Sequence, residues 1–477
     1  MTAADPGGTP QPAVTTRWAT MAVVASGVFM ATLDASIVNV SLPTLVRELD
    51  APFDRVQWVT LAYVIAITSL LLPAGRLAQM RGAKRLYLAG FLVFTIGSLL
   101  CGLAPNVGFL IAFRVVQGIG GSITQALGPA LVVSAFPPSE RGKAIGFILS
   151  AVSIGLVSGP VVGGLILGSL GWPFIFLINV PIGIAAISLG ARILPEGAQG
   201  TGGRFDLRGT ILLAIGLTLL VVGLNRIQTL GLNSPIVILL VVTGIALLLA
   251  FAWWQTRTRW PTIQPAMFRV PDFTASMLAG YLAFAGAATQ ILLLPFYLQR
   301  VLELPVQQVG LLMVTVPALM GLLGTPSGML ADRTSSRTVG ALGIGIVAVG
   351  LALLTTMTAD TTPWAVVPRL AVIGVGMAMF NSGNASMLMG SAAAEHRNQA
   401  SAVLALARNM AQATGQALWG TIWASIVVLQ LGVSGPDAAA GPDTVAAFQI
   451  VFGAAGVVVL LGVLVTLAPL LTMRTEH

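Results

Sequence analysis

Residues 235–255 read PIVILLVVTGIALLLAFAWWQ, a run of 21 residues without a charged side chain. As an α-helix with a rise of 1.5 Å per residue, this run is about 31 Å long, which matches the hydrocarbon thickness of a bilayer. In lipid a helix is favoured because it satisfies its backbone donors and acceptors within the segment. The run therefore predicts a membrane-spanning helix.

The composition extends this interpretation to the whole chain. Its 477 residues are 56% hydrophobic and 8% charged, whereas soluble domains carry roughly 25% charged residues. The net charge of +8 comes from Lys and Arg in short loops, so it indicates membrane topology and argues against nucleic-acid binding. The single cysteine, Cys101, lies in an apolar run, which excludes disulfides and zinc clusters.

Apolar runs predict fourteen spans, which makes the chain an all-α membrane protein. The spans are 18–43, 56–76, 86–104, 108–135, 144–168, 174–194, 209–226, 235–255, 273–299, 306–330, 338–357, 364–391, 399–430 and 444–472. Residues 1–16 are rich in Pro, Gly and Thr and predict a disordered tail. Between the spans, 17 Lys and Arg fall on one side and four on the other, which predicts that both termini are cytoplasmic.

The chain also contains an internal repeat. PAGRLAQ at 73–79 returns as PSGMLAD at 326–332, an offset of 253 residues. Related matches join Arg114 to Arg369 and Gly159 to Gly415. We interpret the repeat as two six-helix bundles, 17–196 and 272–477, with two inserted helices between them at 197–271. Parallel repeats of this kind place a substrate site near the middle of the bilayer in alternating-access transporters.

Five motifs occur in order along the first bundle. They are LDASIVNVSLP at 33–43, GRLAQMRGAKR at 75–85, RVVQGIGG at 114–121, GLVSGPVVGG at 155–164 and FLINVPIG at 176–183. Together they resemble the fourteen-helix drug:proton antiporter branch of the major facilitator superfamily over nearly the whole chain. The resemblance implies a proton-coupled multidrug efflux transporter in a bacterial plasma membrane, a role associated with antibiotic resistance.

The same resemblance assigns conformational gating to two groups of residues. The loop signature contributes Gly75, Arg76, Gly82, Arg85, Asp332 and Arg333. The glycine-rich segment of helix 5 contributes Gly155, Gly159, Pro160, Gly163 and Gly164, where small residues permit close packing and proline permits a kink. Gln79 stands where the signature usually has an acid, whereas the second copy keeps Asp332.

One acid, Asp34, lies deep inside a predicted span, and an ionisable group in that position is a functional-site hypothesis. Arg114 in helix 4 lies at a similar predicted depth. We expect the two to pair and to couple transport to protons. The alternative is a fixed structural ion pair.

Polar, aromatic and methionine side chains in the spans are candidate contacts for varied apolar compounds. The candidates are Asn39, Tyr63, Gln117, Asn179, Met377, Phe380, Asn381, Asn384, Arg408 and Gln412. For each of these residues, ordinary packing is the alternative role.

We therefore expect a monomeric proton-coupled exporter of small hydrophobic or cationic molecules, without a cofactor or metal. A dedicated exporter of one metabolite, such as a lipid precursor, siderophore or self-made antibiotic, is the second hypothesis, and a non-transporting receptor is the third. An enzyme is not expected, because the two histidines, His396 and His477, offer no nucleophile–base arrangement.

Overall fold

The computed structural model describes residues 14–137, 140–194, 206–259, 261, 263–391, 397–431 and 442–473. Within these ranges every regular element is helical. A long helix lies at each of the fourteen predicted positions. The helices are α1 (Val14–Glu48), α2 (Trp58–Arg81), α3 (Ala83–Gly102), α4 (Val107–Ala135), α5 (Arg141–Ser169), α6 (Asn179–Ile193), α7 (Leu207–Leu230), α8 (Pro235–Arg257), α9 (Pro271–Phe296), α10 (Val306–Arg333), α11 (Ser336–Leu354), α12 (Pro363–Ser391), α13 (Arg397–Leu431) and α14 (Val445–Met473).

Several helices are longer or more irregular than the apolar pattern predicts. The first helix begins at Val14, inside the segment predicted as a tail, and it continues past Pro43 to Glu48. One-turn helices, Phe53–Val56 and Phe174–Leu177, precede α2 and α6. Pro295 is followed by a π-helical turn at Tyr297–Val301 that extends α9, because a proline removes one backbone donor and loosens the ladder around it.

Twelve of the fourteen helices are long and apolar enough over their described residues to cross a bilayer. The other two are α5 and α13. For α5 the described apolar stretch is Ile154–Ser169. The α13 helix carries Arg408, Asn409, Gln412 and Gln416, which lower its hydropathy. A polar helix is tolerated in a bundle when its polar face turns away from lipid.

The internal repeat is visible in the packing of the helices. A side chain at Gly120 of α4 would meet the backbone of Gly90 and Phe94 in α3. The equivalent glycine of α12, Gly376, lies in the same way against Gly343 of α11. Glycine permits such close approach because it has no Cβ atom. The α3–α4 and α11–α12 pairs are therefore built alike.

The most extensive packing between the two repeats joins α1 with α9, α2 with α13, and α5 with α10. The first part of α10 also touches α1. The inserted helices α7 and α8 pack on each other, and α7 also packs on α2 and α13. Thus α7 covers the line along which the two repeats meet. We keep the boundaries 17–196, 197–271 and 272–477 as an interpretation of these contacts.

Candidate transport site

An ion pair between α1 and α4 lies at the centre of the first repeat. Nη1 of Arg114 is 2.7 Å from Oδ2 of Asp34, and both side chains are fully buried. Among the described residues, no other ion pair has both partners enclosed. A buried pair of this kind is costly to break, because removing either partner leaves an uncompensated charge in a medium that solvates it poorly.

Further donors complete the surroundings of the Asp34 carboxylate. Its Oδ1 atom accepts hydrogen bonds from Nε2 of Gln117 at 2.9 Å and from Nδ2 of Asn179 at 3.0 Å. With Arg114, the carboxylate therefore accepts from three side chains on α4 and α6, an arrangement that suits its ionised form. Gln117 also donates to Oγ of Ser98 on α3 at 2.7 Å.

The guanidinium of Arg114 is held by α2 as well. Its Nε atom donates to the carbonyl oxygen of Val59 at 2.9 Å, and its Cζ atom lies 3.9 Å from the ring centroid of Tyr63. A cation over an aromatic face is stabilised by the negative potential of the ring. The Nη2 atom has no hydrogen-bond partner. One donor is therefore free to bind elsewhere when the site rearranges.

Three of the predicted substrate contacts, Tyr63, Gln117 and Asn179, thus belong to the surroundings of the ion pair. Asn39, just over one helical turn beyond Asp34, is 7% exposed, and its Oδ1 atom has no partner. These residues form a polar interior that is enclosed by α1, α2, α4 and α6.

The predicted contacts on α12 lie in the second repeat. Met377, Phe380 and Asn384 are buried, and Asn381 is half-buried. The Phe380 ring packs edge-to-face on Phe284 of α9, with centroids 5.7 Å apart. The structure therefore places Met377 and Phe380 in helix packing. Gln412 is half-buried and Arg408 is exposed on α13.

The glycines of α5 lie on two faces. A side chain at Gly155, Gly159 or Gly163 would meet α1, at Leu33, Ser36 and Ile37 respectively. Gly164 instead lies against Val306 and Gln307 of α10, and the carbonyl group of Pro160 contacts Gly310. The α5 helix is therefore packed between the helix that carries Asp34 and the opposite repeat.

The predicted gating loop is more open. Gly82 ends α2 with φ of +90°, a backbone conformation that side-chain-bearing residues rarely adopt, and Gly75 has no neighbouring atom within 4 Å of a Cβ position. Arg85, Asp332 and Arg333 are exposed, and none forms an ion pair within the described ranges. The side chain of Arg76 lies outside the described residues.

The sequence interpretation did not include a polar network at the opposite ends of the helices. Gln57 donates to the carbonyl oxygen of Gln416 at 2.7 Å and accepts from Asn225 and Gln228 of α7 at 3.1 and 3.2 Å. Gln228 in turn donates to Thr421 of α13 at 3.1 Å. Several amides within apolar spans were the available signal, since buried polar groups need partners.

Two more contacts close the same face. Gln299 of the π-helical turn donates to the carbonyl oxygen of Val40 at 3.2 Å. Phe53 packs edge-to-face on Phe296 and on Trp423, at centroid distances of 5.0 and 5.3 Å. We call these contacts, together with the network around Gln57, the outer seal, since the positive-inside pattern predicts this face to be periplasmic.

Apolar helices joined by a buried charge cluster, with a repeated bundle, define a polytopic membrane transporter. The chain belongs to the Major Facilitator Superfamily, whose family model matches residues 24–415 and 276–477. It is therefore a transporter and not an enzyme, as the sequence predicted.

Similar proteins support the same class. The riboflavin transporter RibZ of Clostridioides difficile is 32% identical over 86% of this chain and 88% of its own length. A multidrug resistance protein B homolog of Mycobacterium tuberculosis is 32% identical over 76% of this chain and 67% of its own. A probable actinorhodin transporter of Streptomyces coelicolor is 29% identical over 89% and 75%.

A solved structure shares the fold. It is a bacterial homologue of the human drug peptide transporters PepT1 and PepT2, and it matches with a TM-score of 0.67 over 97% of this chain and 100% of that chain. The sequence identity is 15%, so the match shows the architecture alone.

Proposed function

We propose that the chain is a proton-coupled exporter of small hydrophobic molecules, working by alternating access in a bacterial inner membrane with both termini cytoplasmic. The observation that carries the proposal is the enclosure of Asp34, which is the one fully buried acid among the described residues. An ionisable group kept within a membrane domain marks an ion pathway or a proton relay by default.

The geometry gives protonation of Asp34 a structural consequence. A proton on this carboxylate removes the charge that Arg114 compensates, so the guanidinium is left bound to the Val59 carbonyl, the Tyr63 ring and Gln117. The titratable groups around Asp34 are Arg114, Tyr63 and Cys101, contributed by α4, α2 and α3. Arg114 is the permanently charged group among these, so it is the first to respond when Asp34 takes up a proton.

A structural change at Asp34 can reach the second repeat through packed helices. Leu33 and Ser36, which flank Asp34 on α1, lie against Gly155 and Gly159 of α5. The same α5 helix touches Gly310 of α10 through Pro160. A shift of α1 after protonation therefore moves a helix that forms part of the interface between the repeats.

The order of events follows from the state of the site. The outer seal is closed while Asp34 accepts donors as a carboxylate, so the charged form accompanies the inward-facing state. In the proposed cycle a proton from the periplasm binds Asp34 in the outward-facing state, and its release to the cytoplasm in the inward-facing state precedes capture of the next substrate. With one fully buried carboxylate among the described residues, the proposed cycle has a low proton stoichiometry, one proton in its simplest form.

The sequence predicted hydrophobic or cationic substrates, and the enclosure of Asp34 favours the hydrophobic ones. Cationic substrates would need a carboxylate that they can reach, and Asp34 is enclosed and accepts from three side chains. We therefore retain hydrophobic substrates in the proposal and leave cations as an outcome of the assay.

The test is transport by the full chain in proteoliposomes under an imposed pH gradient, with a panel of neutral, cationic and anionic dyes. Asp34→Asn is expected to abolish gradient-driven accumulation while substrate counterflow, which needs no proton, persists. Asp360→Asn makes the same exchange in an exposed loop and is expected to leave accumulation unchanged. Full accumulation by Asp34→Asn would remove this residue from the coupling mechanism.

A dedicated exporter of one metabolite is the second candidate, because the similar proteins include riboflavin and actinorhodin transporters as well as multidrug resistance proteins. Counterflow competition separates the two candidates. A multidrug exporter is inhibited by many unrelated compounds, and a dedicated one by close analogues of a single compound.

A further inference from the structure

The α13 helix carries a polar stripe that the coupling mechanism does not use. Arg408, Gln412 and Gln416 are spaced by four residues, so at about 100° per residue they fall within roughly 80° of one another. The stripe is turned away from α7, because Thr421, which donates to the Leu224 carbonyl of α7, lies about 140° around the helix from Arg408.

The stripe faces the interior between two other helices. Trp419 lies between Arg408 and Gln412 around the helix axis but beyond Gln416 along it. It donates to the Ala285 carbonyl of α9 at 2.8 Å, so the Arg408 edge of the stripe faces α9 at that level. On the other side, Ala413 and Ala417 pack in the same buried cluster as residues of α2. Arg408 itself is exposed although it lies well inside α13, and a charged side chain at that depth faces the bundle interior or a water-filled space and not lipid. That combination indicates a side chain that borders an internal accessible space.

The groups along this stripe lack partners. Arg408 makes no hydrogen bond or ion pair with any part of the chain that the structure describes. Nδ2 of the adjacent Asn409 and both polar atoms of the Gln416 amide are buried without a hydrogen bond, and these side chains are 8% and 0% exposed. Buried polar groups are normally paired, so open donors along about two turns of one helix indicate a ligand with acceptor atoms.

The charge of Arg408 is not balanced from the neighbouring helices. Those that pack on α13 are α2, α7, α9, α12 and α14. Within their described residues the acids are Asp206, which caps α7 and accepts from Trp254 and Gln255, and Asp272, which pairs with Arg337. Both lie at helix ends and are already occupied. Asp34 is held by Arg114. The accessible interior is therefore positive.

We propose that Arg408, with Gln412, Gln416 and Asn409, binds an anionic group of the substrate, so that the exported compounds are aromatic or aliphatic carboxylic acids and similar organic anions. The guanidinium supplies charge and a pair of parallel donors, which fit a carboxylate. The amides supply donors and, through the Gln416 oxygen, one acceptor. This assignment of substrate class rests on the proposed export function.

The inference also predicts the charge moved per cycle. A monoanion leaving in exchange for one entering proton carries two positive charges inward, whereas a neutral compound carries one. An inside-negative potential at zero pH gradient is therefore expected to drive export of an acid more strongly than export of its uncharged amide. Equal responses to potential would contradict the anionic class.

Binding is tested without any proton gradient, by isothermal titration calorimetry on the full chain in detergent. The probes are the carboxylates of naphthalene, anthracene and biphenyl and their carboxamides, which share ring systems and differ in charge. We expect the carboxylates to bind about tenfold or more tightly than the carboxamides, as charged hydrogen bonds imply. Arg408→Gln is expected to erase that difference, and Arg408→Lys to retain part of it.

A matched control comes from the same repeat. Arg369, near the outer end of α12, donates to the Leu353 and Ala365 carbonyls and to Thr356, so Arg369→Gln removes an arginine without touching the stripe. It is expected to keep the preference for acids. The absence of any such preference in the unaltered chain, or its survival in Arg408→Gln, would overturn the assignment. Full accumulation by Asp34→Asn would refute the coupling proposal and leave this binding result unchanged, so the two proposals fail separately.

Discussion

Replacement of Gln57 by leucine is expected to open the outer seal. The side chain makes one direct bond across the repeats, from Nε2 to the Gln416 carbonyl at 2.7 Å, and accepts two from α7. The α7 donors keep second partners, since Asn225 also donates to the Asp54 carbonyl oxygen at 3.4 Å and Gln228 to Oγ1 of Thr421 at 3.1 Å. The loss is therefore dominated by the direct bond.

The magnitude follows from that count. A buried neutral hydrogen bond contributes about 0.5–1.5 kcal/mol net. The direct bond to the Gln416 carbonyl, with part of the two bonds accepted from α7, then stabilises the closed outer seal by about 1–2 kcal/mol. Because 1.4 kcal/mol corresponds to tenfold in an equilibrium constant, Gln57→Leu should raise the population of the outward-open state about 5- to 30-fold.

The assay is the labelling rate of a reporter cysteine by a membrane-impermeant maleimide. Thr44 is 6% exposed and donates to Gln299 across the seal at 3.3 Å, so Thr44→Cys places the thiol where opening exposes it. The chain's own Cys101 is buried and is replaced by serine in every variant. Gln57→Leu is expected to accelerate labelling of the introduced thiol by the factor above, since labelling through a minor open state scales with its population.

Thr68→Val is the matched control on the same helix. Thr68 is fully buried and donates to the Val64 carbonyl of α2 itself, so the variant loses a buried hydrogen bond without affecting the seal. An unchanged labelling rate in Gln57→Leu, or an equal rise in Thr68→Val, would refute the assignment of Gln57 to the seal.

Three further predictions concern the ion pair and the helix contacts. Asp34→Asn and Arg114→Gln should each lower the free energy of unfolding by about 3–5 kcal/mol in thermal unfolding. The double variant should lower it by less than the sum of the two, because it leaves no lone buried charge. Additive losses would show that the pair is not coupled. Tyr63→Phe should be nearly neutral in the same unfolding assay, since the hydroxyl has no hydrogen-bond partner among the described residues. Tyr63→Leu should destabilise the protein by about 1–2 kcal/mol, because it removes the ring beside Arg114. Equal effects of the two variants would exclude the cation–π contact. Gly159→Ala should destabilise the protein by about 1–3 kcal/mol because the new methyl group meets Ser36. The control Gly345→Ala, with open space around it, should stabilise the protein by up to about 1 kcal/mol. A neutral Gly159→Ala would mean that α1 and α5 separate freely.

The two repeats are alike in their helix contacts and unlike in their charges. Gly97 of α3 lies against Gln117, and the equivalent Gly350 of α11 lies against Ile373. Arg114 is paired and fully buried, whereas the equivalent Arg369 bonds to backbone and threonine oxygens at a helix end. The first repeat therefore holds the candidate proton site, while the second carries Arg408 on α13, which has no ion-pair partner within the described ranges. This division would separate proton binding from substrate binding.

The sequence by itself determined the positions of the helices, because lipid permits few alternatives for apolar runs such as 235–255. It also singled out Asp34 and Arg114, since charges inside apolar runs are rare enough that each one demands a partner. The motif at 155–164 predicted close packing of helix 5. The helix lengths predicted from the sequence were less accurate. For example, α1 extends from Val14 to Glu48, because polar helix ends outside the hydrocarbon leave no hydropathy signal.

Only the tertiary structure decided which polar groups meet. That Gln117 and Asn179 bind Asp34, that Gln57 bridges to α13, and that Arg408 has no partner among the described residues all depend on how each helix is rotated and tilted against its neighbours. In water, a polar face fixes that rotation, because it must be solvated. In a bilayer the outer face of a helix is as apolar as its buried face, so the rotation is set by packing and by a few interhelical hydrogen bonds formed once the bundle assembles.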